Sequence, residues 1–261
     1  MGYQTAPTET DPLLEAIGKF DIVGDVHGMA TQLFELMALA GWRVDPHDPD
    51  GSAPIRARHP EGRHLVFTGD LINKGPDSIN VLRLLMGMQE EGTASAILGN
   101  HEDMLLEAIY RPSDRVKKSV RRTLSELAQR PSALRLRVLA MLSELPFQLH
   151  LPMPGDLKLA GDGALTVVHA GARPDDIGSS SAAARRRMVH GAGLSQSRKS
   201  GWARAFDKGD RWVVHGHTPR KAPRISDRVI GLDTGAGEDG TLTMLRADTG
   251  GFLSVAAALT S

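Results

Sequence analysis

The hydrophobic positions of this chain fall into two kinds of run. Phe20–Val23, Leu65-Val66-Phe67, Ile97-Leu98, Val167-Val168 and Trp212-Val213-Val214 are short, apolar and rich in β-branched residues, and they read as buried strands. The others repeat at helical spacing. Leu33, Phe34, Leu36, Met37 and Ala40 predict a helix over Thr31–Ala40, stopped by Gly41. Ile79, Leu82, Leu85 and Met86 predict a second helix, opened by Pro76-Asp77 and ended at Gly92, and Glu102–Tyr110 a third. Leu124 and Leu127, then Leu134, Leu136, Val138, Leu139 and Leu142, predict two more, broken at Pro131. Val229–Asp233, Thr241–Arg246 and Phe252–Ala257 predict closing strands, and Leu157–Leu159 with Ala164–His169 a hairpin about Gly161-Asp-Gly163. Residues 45–63, with four prolines, predict a surface loop, and residues 1–18 a loose arm with a short helical stretch at Leu13–Ile17. Residues 173–211, rich in Ser, Gly and Arg, predict loop and helix and the most mobile stretch.

The residues just beyond the strands carry the chemistry. Asp25 and His27, Asp70, Asn100, His169 and His217 each lie within two residues of a glycine, just after an apolar run. Strand tips of an open α/β sheet gather at one edge, where ligands bind. Taken singly, such residues are ordinary turn or helix-cap residues. Five such tips together point to a metal site. Mixed carboxylate, imidazole and amide donors suit Mn, Fe, Co or Zn better than Mg or Ca. Asp25 and His27, two apart, can face one ion from a strand or bulge, and Asp70 can bridge two ions.

Composition narrows the class. The 261 residues, 41% hydrophobic and 24% charged, suffice for one α/β domain. With no cysteine, disulfides and thiolate zinc sites are excluded. Lys plus Arg equals Asp plus Glu at 31 each, so no whole-molecule field attracts DNA or a membrane. No apolar run reaches the length of a membrane span, and no signal peptide is evident. Met1-Gly2 lacks the Ser or Thr of a myristoylation motif, since position 6 is Ala. The expectation is a cytoplasmic protein.

The series Gly24-Asp-Val-His-Gly28, Gly69-Asp-Leu-Ile-Asn-Lys-Gly75, Gly99-Asn-His-Glu102, His169-Ala-Gly171 and Gly216-His-Thr-Pro219 resembles the calcineurin-like metallophosphoesterases of the phosphoprotein phosphatase type. The likeness runs from about Phe20 to Arg246. Asn73-Lys74, where Ser/Thr phosphatases carry Asp-Arg, is closer to the ApaH-like, diadenosine tetraphosphatase-related branch. The resemblance implies an α/β fold: a two-sheet mixed β-sandwich flanked by helices. It implies two divalent transition-metal ions, Mn foremost, with Fe, Co or Zn as alternatives. Asp25 and His27 would hold the first, Asn100, His169 and His217 the second, and Asp70 both. It further implies a metal-activated hydroxide attacking phosphorus. His101 would be the general acid with Asn73 beside it. Lys74, Asn100 and Arg173 would bind phosphate, Lys74 as a point charge without the bidentate grip of arginine. Pro219 stands where broader relatives have a second His, leaving the first ion fewer protein ligands. His215, two residues before His217, reads either as a substrate contact or as a plain strand histidine.

On this reading residues 19–261 form one metallophosphoesterase domain, with 111–145 a helical, cap-like insertion. Residues 111–137 hold nine Lys/Arg against two Asp/Glu, either solvated helix faces or positive potential beside an anionic substrate. Arg185-Arg186-Arg187 likewise reads as a solvated patch or as a phosphate or RNA contact. Expected substrates are nucleotide polyphosphates such as dinucleoside tetraphosphates, or capped RNA ends. The alternative is a Ser/Thr phosphatase acting on phosphoproteins. Tyr110, Trp202 and Trp212 are the only Trp or Tyr residues near the insertion, so base preference is not legible.

Overall fold

The computed structural model describes residues 18–45, 51–111, 116–152, 164–195, 201–207 and 211–257. The predicted stretch at Leu13–Ile17 and the first arm of the hairpin at Leu157–Leu159 lie outside them.

Two five-stranded sheets face each other. The first has the order β12 (Gly251–Ala256), β11 (Thr241–Arg246), β1 (Phe20–Val23), β4 (His64–Phe67), β5 (Ala94–Ala96). The second has the order β6 (Gln148–Leu151), β7 (Leu165–Val168), β8 (Trp212–His215), β10 (Val229–Gly231), β9 (Arg224–Ser226). A small pair, β2 (Arg43–Val44) and β3 (Ala57–Arg58), lies apart. In the first sheet β1, β4 and β5 run parallel, with Phe20 opposite His64 and Val23 opposite Phe67. In the second β7, β8 and β10 run parallel. Parallel runs send the C-terminal ends of these strands to one side.

Side chains alternate along each strand and sort into two cores. Phe20, Ile22 and Val66 of the first sheet meet Leu149, Val167, Val214 and Ile230 of the second, forming the layer between them. Val23, Leu65 and Phe67 point the other way and pack with Leu33, Leu36 and Met37 of α1 (Ala30–Leu39) and Leu82 and Leu85 of α2 (Ser78–Glu90). Burial on both faces explains why the strands read as continuous apolar runs.

The remaining helices are α3 (Asn100–Tyr110), α4 (Lys118–Ala128), α5 (Ser132–Glu144) and α6 (Ala182–His190). Pro131 caps α5 and so separates it from α4. Val120, Thr123 and Leu127 of α4 are buried, and the helix packs against α2 and α3. Two expectations need correction. Asn100 is not a strand tip: β5 stops at Ala96, and Asn100 is the first residue of α3, behind the cap Gly99. Nor is the stretch from 51 to 63 a free loop. Arg83 of α2 donates from Nε to the Ala53 carbonyl at 2.7 Å, Ile55 N–H bonds Arg83 O at 3.0 Å, and Ile55 and Ala57 are buried.

Candidate metal centre

Strain marks where the tips converge. His27, Asp70, Asn73, Lys74 and His217 have φ between 50° and 71°, and they are five of the seven described non-glycine residues with positive φ. Each such residue costs about 1–2 kcal/mol unless its surroundings enforce it. Here backbone bonds enforce it. Val26 and His27 N–H both donate to Asp70 O, at 3.1 and 2.8 Å, and Gly75 N–H donates to His27 O at 2.8 Å. The wholly buried Glu102 carboxylate, in the first turn of α3, accepts N–H bonds from Asp70 (2.8 Å), Leu71 (2.9 Å), Ile72 (3.3 Å) and Gly99 (3.1 Å). That one side chain stitches the Asp70 turn to the start of α3.

Asp70 is the hub. Its Oδ1 lies 3.3 Å from His169 Nε2, and its Oδ2 lies 3.7 Å from His27 Nε2 and 4.0 Å from His101 Nε2. Asn100 Oδ1 lies 2.9 Å from His169 Nε2 and 2.8 Å from His217 Nδ1. Two donor trios result, His27–Asp70–His101 and Asp70–His169–His217, each with its atoms within 4.8 Å of one another, and they share Asp70. Donors bound to one ion at about 2.0–2.2 Å sit about 3 Å apart, so the Asp70, Asn100, His169 and His217 atoms fit a single cation. The His169 ring is aimed by its Nδ1–H, which donates to Thr68 O at 2.9 Å, as expected of a metal-ligating imidazole.

Asp25 is held differently. Its Oδ2 accepts His217 N–H at 2.8 Å and its Oδ1 accepts the Thr68 hydroxyl at 3.3 Å. A Cβ at Gly216 would overlap this carboxylate, which is why the tip needs glycine there. Asp25 is thus locked beneath His217, while the first trio pairs His27 with His101 instead. His27 reaches the site through a left-handed turn and not through strand alternation.

The electrostatics ask for cations. Burial, then the neighbouring Asp233, pushes the Asp25 carboxyl well above the usual range. Burial likewise raises Asp233, and burial with the Asp70 charge pushes Glu102 up to about 7, against the pull of its N–H donors. Burial would raise Asp70 too, but His169, His27 and His101 overcome it and hold that carboxyl far below its normal range. Both nitrogens of His169 face carbonyl oxygens, and although burial lowers this ring, Asp70 and then Asp25 push it up to about 10. Burial pushes His27 down to about 3 and His217 to about 4, leaving neutral imidazoles with lone pairs to offer.

The proposed catalytic residues lie on the other flank. Asn73, fully buried, places its Nδ2 2.9 Å from His101 Nδ1, while its Oδ1 accepts the Thr123 hydroxyl at 2.7 Å. The amide therefore donates to the ring, which puts the His101 proton on Nε2, the nitrogen nearer Asp70. Burial pushes His101 down, Lys74 adds to that, and Asp70 offsets part of it. Lys74 spans the edge of the site to Glu238 at 3.1 Å. The Arg173 N–H is capped by Asp176 at 2.8 Å, and among the described residues no hydrogen bond or ion pair joins its side chain to the cluster. The triple arginine is divided: Arg185 pairs with Asp103 at 2.6 Å and Arg187 with Asp176.

Three participants escape a reading of the sequence alone. Glu102 stands inside a recognised motif without a role. Asp233 follows Val229-Ile230-Gly231-Leu232, so the rule of an acid after an apolar run applies to it too. Thr123 gives no signal, since its reach to Asn73 depends on how α4 packs.

Comparison with known proteins agrees with this geometry. Residues 18–229 match the family described as calcineurin-like phosphoesterase. Bis(5'-nucleosyl)-tetraphosphatase PrpE [asymmetrical] of Halalkalibacterium halodurans is 35% identical over 91% of this chain and 93% of its own length. The protein of the same description from Bacillus velezensis is 33% identical over 87% and 88%. A solved structure described as a "putative diadenosine tetraphosphatase" superposes with a TM-score of 0.60 at 25% identity, covering 94% of this chain and 96% of that one. The family implies divalent metal ions, which the converging donors fit. This chain belongs to the calcineurin-like phosphoesterase family.

Proposed function

We propose that this protein hydrolyses dinucleoside tetraphosphates asymmetrically, to a nucleoside triphosphate and a nucleoside monophosphate, using two divalent transition-metal ions, Mn2+ foremost. The observation that carries the reading is the convergence of His27 and His169 on the two oxygens of Asp70, with Asn100 and His217 beside His169. Asn100, His169 and His217 would complete one ion's ligands with Asp70. His27 and Asp70, with Asp25 turned from its present partners, would hold the other. When bound, such ions polarise phosphoryl oxygens and lower the pKa of water toward neutrality.

The chain's own groups do the rest. His101, neutral with its proton on Nε2, would donate a hydrogen bond to the departing oxygen and help it bear negative charge, giving up a proton only after taking one on Nδ1. Lys74 neutralises a phosphoryl oxygen, leaving Glu238 to do so. Asn73 supplies an amide where a Ser/Thr phosphatase has a carboxylate, so His101 gains no negative partner on that side. A nucleotide phosphate leaves as a stable anion and asks little of a general acid, whereas a serine alkoxide asks much. The names of the relatives support the tetraphosphate substrate. Capped RNA ends present the same anhydride chemistry and are the second substrate class. No helix among the described residues is long and apolar enough to cross a membrane, and we place the reaction in the cytoplasm.

The test offers diadenosine tetraphosphate, capped RNA and a phosphoserine peptide side by side to Mn2+-loaded protein. ATP plus AMP as the fastest products supports the reading. Faster phosphate release from the peptide overturns it in favour of a protein phosphatase.

A further inference from the structure

Next to the His217 turn lies a small concavity. It encloses about 50 Å3 and is walled by Trp202, His215, Thr218, Arg220, Arg224 and Gly231, among others. His215 and Thr218 flank His217 in sequence, and Trp202 packs against Gly171, two residues beyond His169. The cavity therefore shares a wall with the site described above while using none of its donor atoms.

Its charge is one-sided. Among the described residues no Asp or Glu lines it. Among the described residues the Arg220 and Arg224 side chains make no ion pair or hydrogen bond, whereas Lys74, Arg185 and Arg187 are each matched to a carboxylate. Arg220 is exposed and Arg224 half-buried, and the planar forks of these two guanidiniums suit phosphate oxygens. The floor is kept open by Gly231, where a Cβ would come within 3.2 Å of His215 Nε2. His215 Nδ1–H donates to Gly216 O at 2.8 Å, which fixes the ring against that floor. The hollow, of about 50 Å3, has room for a compact tetrahedral group.

We propose that this cavity is a phosphoryl subsite, which holds through Arg220 and Arg224 a phosphate of the substrate's polyphosphate chain other than the one attacked. The proposal rests on the tetraphosphatase reading for its substrate, but the anion chemistry stands without it. It explains how an enzyme of this fold could prefer a polyphosphate chain to a simple monoester.

The test compares wild type with Arg220→Ala, Arg224→Ala, the double variant and Gly231→Ala, with a melting curve for each to confirm folding. The readout is the ratio of kcat/KM for diadenosine tetraphosphate to that for p-nitrophenyl phosphate. We expect the double variant to lower this ratio about tenfold through KM, with Gly231→Ala lowering it by filling the floor. An unchanged ratio overturns the subsite. In a second arm ADP and AMP compete with p-nitrophenyl phosphate. Wild type should bind ADP more tightly than AMP, and the double variant should lose that difference. If wild type fails to cleave the tetraphosphate yet shows this arginine-dependent preference, the substrate reading falls and the subsite stands. If it cleaves the tetraphosphate and both arginines are silent in both arms, the reading stands and the subsite falls. Inorganic phosphate separates the two sources of the anion. Competition with the tetraphosphate supports a substrate subsite. Arginine-dependent binding that does not compete identifies a site for free phosphate and overturns it.

Discussion

The two flanks of Asp70 are built on different terms. On the His169 side the donor atoms already stand 2.8–3.3 Å apart, and the spacing is held by hydrogen bonds to Thr68 and Asn100. On the His27 side the nearest approaches to Asp70 are 3.7 and 4.0 Å, and Asp25 is engaged with His217 and Thr68. The first flank is a preformed ligand cage. The second is a set of left-handed turns whose positions are fixed but whose donors still have to close. One ion should thus bind to a ready site, and the other should do work on the protein as it binds.

The contrast between the flanks is lost most completely at the residue they share. Asp70→Asn removes the charge that lets two cations coexist, and it should cut turnover by about a thousandfold or more while loosening both ions. Asp25→Asn should chiefly weaken the ion on the looser flank. Metal content after dialysis, read beside kcat, checks both, and an Asp70→Asn protein with normal kcat and two tight ions would refute the ligand assignment.

Next comes the residue that ties the flanks together. Glu102→Gln replaces two acceptor oxygens by one and sets an amide against backbone N–H groups. We expect a loss of about 2–4 kcal/mol of stability, measured by denaturant unfolding of EDTA-treated protein.

The preformed flank also predicts a pH dependence. His169 is raised from an ordinary value of 6.5 to about 10. A raised group stabilises the fold fully below its unfolded pKa and loses that contribution as pH passes the folded one. The melting temperature of EDTA-treated protein should therefore fall between about pH 6.5 and 10 from this source. Over the same window Mn2+ should bind more tightly as pH rises, because the imidazole must shed its proton. Calorimetry in buffers of different ionisation enthalpy should show that proton released, and its absence would mean His169 is already neutral.

A smaller effect belongs to the looser flank. Asn73→Asp restores a carboxylate behind His101 and should raise kcat/KM on phosphoserine peptide by about 3–10-fold, with little change on the tetraphosphate. Equal response on both substrates would make position 73 silent in proton supply.

Much of this is legible in the sequence for a physical reason. A buried strand must be mainly apolar at its inner positions, so Phe20–Val23, Trp212–His215 and Thr241–Arg246 announce themselves. A donor that comes after such a run is placed by the strand, and Asp70, His169 and His217 duly meet. The failures lie where placement is tertiary. Ile97-Leu98 are buried like a strand but lead into a helix, so the pattern misplaces Asn100. Spacing pairs Asp25 with His27 by strand alternation, whereas His27 sits in a left-handed turn. The orientation of the Asn73 amide is set by Thr123, 50 residues away, and no local pattern encodes that.

Whether one carboxylate is common to two ions can be decided by electron paramagnetic resonance of protein loaded with two equivalents of Mn2+. A shared Asp70 predicts the spectrum of an exchange-coupled manganese pair, collapsing to isolated or lost Mn2+ in Asp70→Asn. Uncoupled six-line signals from the wild type at full occupancy would contradict it.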